Sequence, residues 1–171
     1  MLSEITLIFG VFIMDTLTEP ASTEIRTDIK PEFFDMGIQL MSQGRSHREM
    51  FRTGALDARM KTYASGGENG LHAHMDEDHA FIVMQGSATF YGPNGESKEV
   101  GVHEGIMLPM GSFYYFNASG GAPLVILRLA SPVSGNEHLP PRMKPDGTPL
   151  LGSDKGNKKA DPIFIDGEFF K

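Results

Sequence analysis

The sequence predicts an all-β domain, a sandwich or barrel of short strands, on three observations. After Gly54 the chain breaks into segments of strand length separated by turn residues. Several of these segments alternate apolar and polar side chains, the period-2 pattern of a strand with two unlike faces. No long stretch of helical periodicity interrupts them, which disfavours a parallel sheet built from strand–helix–strand units.

Taken in order, the chain opens with an apolar stretch, Ile5 to Met14, about half the ~20 residues that a membrane-spanning helix requires. Its only preceding charge is Glu4 and no small-residue cleavage site follows, so a secretory signal is not expected and a cytoplasmic location is. Residues 1–13 are either an extension upstream of a start at Met14 or a strand that pairs with the barrel or with a partner. Thr16 to Lys30 is polar and aperiodic, the pattern of a loosely held arm. Pro31 then suits the first position of a short helix, with Phe34, Ile38 and Met41 on one face and Gly44 closing its end.

The first expected strand is ALDARMKTYAS, with Leu56, Ala58, Met60 and Thr62 on one face and Arg59, Lys61 and Tyr63 on the other. LHAH, HAFIVMQG, SATFYG, ESKEVGV, GIMLP, SFYYFNA and PLVILRLAS follow, each about the length of a strand. Pro93-Asn94-Gly95 marks a hairpin, because Asn-Gly accepts the positive φ angles of a type I′ turn. Beyond Ser131 come Pro132, Pro140, Pro141, Pro145, Pro149 and Pro162, which withhold ladder donors and predict an extended arm. That arm still carries Ile163-Phe164-Ile165 and Phe169-Phe170, apolar clusters expected to dock on a barrel, their own or a neighbour's. A homodimer with exchanged arms is therefore expected. The resulting division is residues 1–50 as arm and helix, 51–132 as barrel and 133–171 as C-terminal arm.

A chain of 171 residues has room for one ordinary domain plus extensions. The net charge of −7, with no run of Lys or Arg, argues against nucleic acid or an anionic membrane as partner and leaves small molecules and protein surfaces. There is no cysteine, which excludes disulfides, thiolate metal sites and cysteine nucleophiles, so a metal must be held by nitrogen and oxygen.

The segment GGENGLHAHMDEDHAFIVMQG carries the chemistry. His72 and His74 are two apart in a strand-like stretch, so their imidazoles share a face and can meet one ion. His79 opens the next alternating run, sharing a face with Phe81, Val83 and Gln85, and Met75 to Asp78 reads as the turn between. Pairing of the two runs adds a third imidazole. Three neutral imidazoles suit a divalent transition metal, iron foremost, with zinc, nickel, cobalt, manganese or copper as alternatives; magnesium and calcium prefer oxygen. The plainer alternative for each histidine is a satisfied structural residue.

These residues resemble the cupin superfamily, in particular its small single-domain, cupin-2-like metal-binding barrels. Gly66, His72, His74 and Gly86 fill the first cupin motif, with His79 where the family has glutamate. Pro109 and Gly111 match the second motif, whose first glycine, histidine and asparagine are replaced by His103, Tyr114 and Ala118. The resemblance covers roughly Gly54 to Pro132. It implies a double-stranded β-helix, the cupin or jelly-roll barrel, with a metal inside near one mouth.

At the place of the family's last histidine, Tyr114 is expected to point inward, as a metal ligand, a catalytic proton donor or plain packing. Asp78 is a fallback oxygen ligand whose register faces it away. Arg59, Lys61 and Arg128 are candidates to hold a substrate carboxylate or phosphate, with a solvated outer face as the alternative. Inward Phe81, Phe116, Met107 and Val83 predict a largely apolar cavity. His103 reads as structural or exposed, and His138 reaches a site only if the arm folds over a mouth. The expected function is a metal-dependent enzyme of dioxygenase or isomerase/lyase type on a small organic substrate; the rival is a non-catalytic small-ligand cupin with a structural metal or none.

Overall fold

Apolar alternation in the middle of the chain becomes antiparallel strand pairing. The computed structural model describes residues 27–171, so the Ile5 to Met14 stretch and most of the expected polar arm lie outside the described residues. Residues 27–33 form no strand or helix, and the strands all fall within the unit Phe34–Lys171. They are β1 (Ile38–Gln43), β2 (Arg45–Arg52), β3 (Asp57–Tyr63), β4 (Ala73–His74), β5 (Glu77–Gln85) and β6 (Ala88–Tyr91). Then come β7 (Ser97–Val100), β8 (Gly105–Leu108), β9 (Tyr115–Ala118), β10 (Leu124–Pro132), β11 (Arg142–Met143) and β12 (Ile163–Phe170). Among the described residues no helix is long and apolar enough to cross a membrane.

A five-stranded sheet, β2-β3-β10-β5-β8, and a three-stranded sheet, β7-β6-β9, enclose the barrel core. Tyr63, Phe81, Val83, Leu124 and Ile126 from the first sheet pack with Ala88, Phe90, Val100 and Phe116 from the second. Strand β10 explains the uninterrupted apolar run in its sequence. Leu124 and Ile126 face this core, while Val125 faces a second cluster on the outer side with Ile38, Leu40 and Met60. A strand buried on both faces has no reason to alternate.

The second cluster overturns the expected helix. Instead of a helix from Pro31 to Gly44, β1 pairs antiparallel with β12, Ile38 opposite Phe170 and Met41 opposite Phe164. Ile165 and Phe170 of β12 pack against the cluster. The partner that settles the conformation lies far along the chain, beyond any local window, and tertiary pairing overrides local pattern. Gly44 does act as a terminator, with φ +80°, but it ends a strand. The sheet also begins N-terminal of residue 51, because β2 pairs along β3 from Arg45 to Arg52. The residues 133–171 arm is partly stranded, β11 lying on β4 and β12 on β1.

The hairpin at Pro93-Asn94-Gly95 joins β6 to β7, but its turn is not type I′. Among the described residues His103 is the one non-glycine residue with positive φ, so only Gly95, at +88°, is left-handed there. The Gly92 N–H donates to the Glu96 carbonyl at 2.9 Å, as in the longer loop that places glycine after a right-handed turn.

Because Met60 is wholly buried in the outer cluster, Met60→Ala is expected to lower stability by about 2–5 kcal/mol. Urea unfolding measures this. A loss below about 1 kcal/mol would mean that β1 and β12 do not seal that face.

Candidate functional site

Backbone pairing sets the histidines. His72 exchanges both backbone hydrogen bonds with Tyr114, at 3.1 and 2.9 Å, so the two residues sit directly opposite each other. His79 lies in β5, flanked by Ala130 of β10 and Leu108 of β8. Period-2 geometry then brings the rings together. The His72 and His74 ring centroids are 5.3 Å apart, those of His74 and His79 4.5 Å. The Tyr114 ring is 4.9 Å from that of His72, and its hydroxyl lies 3.2 Å from Nε2 of His79.

The hydrogen bonds orient the imidazoles. Nδ1 of His72 lies 2.7 Å from the Gly70 carbonyl, which only an N–H can satisfy, so Nε2 keeps the lone pair. That Nε2 is buried and has no hydrogen-bond partner among the described residues. Nδ1 of His74 likewise lies 2.6 Å from Oε1 of Glu77. An imidazole whose Nδ1 is held by a carbonyl or carboxylate presents Nε2 to an ion, so this donor set fits a transition metal. Burial pushes His72 down to about 4 and lowers His79 as well, keeping both neutral, as ligation requires. Burial raises Tyr114 far above its usual range, so its hydroxyl keeps its proton.

Glu77 is the site residue that the sequence analysis placed in a turn. It belongs to β5 two positions before His79, on the same face, and the period-2 rule that joined His72 to His74 also joins these two. The donor atoms of His74, Glu77 and His79 all lie within 4.8 Å of one another, a group that does not include His72. Glu77 also pairs with Arg128 and lies 3.5 Å from Nδ1 of His79. Burial acts to raise its carboxyl, but the contacts with His74, His79 and Arg128 outweigh this and hold it well below the usual range.

His72, His74 and Tyr114 line a cavity of about 510 Å³. Phe81 and Phe116 form part of its wall, as expected, but the lining as a whole is polar and rich in cations. Met107 instead points outward and is 57% exposed, while Val83 is sealed in the core. In β8 it is Ile106 and Leu108 that pack inward. Arg59, Lys61 and Arg128 all line the cavity, so their outer-face alternative does not hold. Arg59 and Arg128 are, however, bound to Asp57 at 2.9 and 3.3 Å. Asp78 accepts from the Met110 N–H at 2.7 Å and stands apart from the cluster. His103 and His138 are exposed. The C-terminal arm does reach the mouth, with Arg142 of β11 opposite His74; nothing in the local sequence marked that residue.

His103 occupies the motif's glycine position with φ +68°, so the left-handed turn that glycine would serve is kept by a non-glycine residue. No protein-family model matches the sequence, and no curated protein matches it. Solved structures do share its architecture. The conserved SPY1581 protein of unknown function from Streptococcus pyogenes is 16% identical with a TM-score of 0.50, over 68% of this chain and 100% of that one. The cupin domain of Cnp3 from Schizosaccharomyces pombe is 14% identical with a TM-score of 0.49, over 55% of this chain and 69% of that one. KdgF from Halomonas sp. is 22% identical with a TM-score of 0.48, over 54% and 82%. The shared feature is the antiparallel barrel built from a five-stranded and a three-stranded sheet. At these identities the likeness is one of fold, and the site has to be argued from the residues themselves.

Proposed function

We propose that this chain is a cupin and a metal-dependent enzyme acting on a small organic molecule, of dioxygenase or isomerase/lyase type. The observation that carries the reading is the buried, unpartnered Nε2 of His72 beside His74, whose own Nδ1 is likewise engaged. His72, His74 and His79 would hold the ion through nitrogen, with Glu77 orienting His74. When bound, a divalent transition metal supplies Lewis acidity toward a carbonyl or enolate oxygen of the substrate. Tyr114 offers a protonated hydroxyl at the same place, beside His79, to give a proton to the reacting molecule. Phe81 and Phe116 supply the apolar wall against which the substrate's carbon skeleton packs.

A second ligand set, His74, Glu77 and His79, is favoured by the 4.8 Å grouping of their donor atoms. Metal analysis of protein purified without added metal tests both. The wild type is expected to carry about one transition-metal ion per chain, and His74→Ala and His79→Ala to lose it while staying folded. Loss in His72→Ala with retention in Glu77→Gln selects the three-histidine set, and the converse selects the other. A folded wild type that neither carries nor takes up iron, zinc or manganese would overturn the reading and leave a ligand-binding cupin.

A further inference from the structure

The cavity's charge runs against that of the chain. The protein carries 15 Lys and Arg against 22 Asp and Glu, yet its cavity is lined by six cationic side chains and two carboxylates, Asp57 and Glu77. Both carboxylates are committed. Asp57 contacts Arg52, Arg59 and Arg128 at 2.8, 2.9 and 3.3 Å, and Glu77 is held by Arg128 and the histidines. Among the described residues the remaining cations, Arg45, Lys61 and Arg142, have no carboxylate within ion-pairing distance: Arg45 donates to the neutral Asn69 side chain at 2.7 Å, and Lys61 lies 5.5 Å from the Tyr63 ring.

Register explains how they share one space. Lys61 and Tyr63 occupy the inward face of β3, and Arg45 pairs with Tyr63 across from β2. His47, beside Arg45 on β2, pairs with Lys61. Arg142 approaches from β11, opposite His74. Arg45 is exposed at the mouth, while Lys61 and Arg142 are half-buried. Unneutralised like charges in a concave, partly desolvated space reinforce one another and draw in an anion. His47 registers this field: beyond burial, Lys61, Arg59 and Arg45 all push its proton off.

We infer that the substrate is a small organic anion whose carboxylate or phosphate group docks on Arg45, Lys61 and Arg142. This rests on the metal-site reading for which end of the molecule reacts, whereas the anion seat rests on these three cations alone. Ammonium and guanidinium both bind carboxylate and phosphate oxygens, and the cavity's size sets an upper limit on the molecule.

Calorimetric titration of the full chain with malonate, inorganic phosphate and neutral malonamide tests this, before and after chelator treatment. At least one anion is expected to bind in both states and malonamide in neither; which anion binds separates carboxylate from phosphate. Lys61→Gln with Arg142→Gln is expected to weaken that binding about ten-fold or more at unchanged metal content, and Lys61→Arg to restore most of it. Lys61→Gln with Arg45→Gln serves if the first pair does not fold. Binding that vanishes on chelation but survives the paired variants would place the anion on the metal, overturning this seat and leaving the metal reading intact. Binding in chelated protein from a chain that never held metal would do the reverse. Equal binding of malonamide, or no binding of either anion, overturns the seat.

Discussion

Tyr114→Phe is expected to keep the metal content of the wild type and to lose turnover by about 10²–10⁴-fold. The hydroxyl is buried, lies 3.2 Å from Nε2 of His79 and keeps its proton because burial disfavours the phenolate. Phenylalanine fills the same space, so packing and ligands stay in place while the proton donor disappears. Metal content and turnover measured on one preparation separate this role from ligation. Loaded with iron(III), the wild type is expected to lack a phenolate-to-iron absorption band. A visible band that disappears in Tyr114→Phe would make Tyr114 a ligand, and unchanged turnover would reduce it to packing.

Glu77→Gln in chelator-treated protein is expected to lower stability at pH 7 by about 1.5–3 kcal/mol, the range for hydrogen bonds to charged groups. The carboxylate joins Arg128 to the two histidines, and among the described residues no other carboxylate contacts those rings. Its folded pKa lies below the ordinary value of 4.5. The unfolded chain therefore takes up the proton first as pH falls. The contribution of Glu77 is complete above 4.5 and is lost progressively below it. Urea unfolding at pH 7 and near pH 3 is expected to show the gap between wild type and variant closing on acidification. A gap of the same size at both pH values would show that the charge is not its source.

The central strands were legible because β3 and β5 alternate toward the core and β10, buried on both faces, is an unbroken apolar run. His72, His74 and His79 were legible for the same reason, two by period-2 spacing and the third by opening β5. Glu77 carried that signal too, but it stood inside a run of acidic residues that resembles a solvated turn. Strand β2 was hidden by composition, since RSHREMFR is mostly polar on both faces. Arg142 was hidden by distance, because only the pairing of β11 with β4 brings it to the histidines. Apolar residues were correctly placed on the cavity wall at Phe81 and Phe116. The cations could not be sorted in advance, because whether Arg59 or Lys61 is neutralised depends on Asp57 and on strand register.

The pairing of β1 with β12 also bears on how the chain leaves the ribosome. Both sheets of the barrel are complete once β10 has been made, but the strand that closes the outer face ends at Phe170. At ordinary synthesis rates the intervening stretch of roughly 40 residues takes on the order of seconds. During that interval Ile38, Leu40, Met60 and Val125 form an apolar strip without its β12 cover. The nascent barrel thus passes through a stage at which a chaperone has a surface to hold, and translation of β12 ends it.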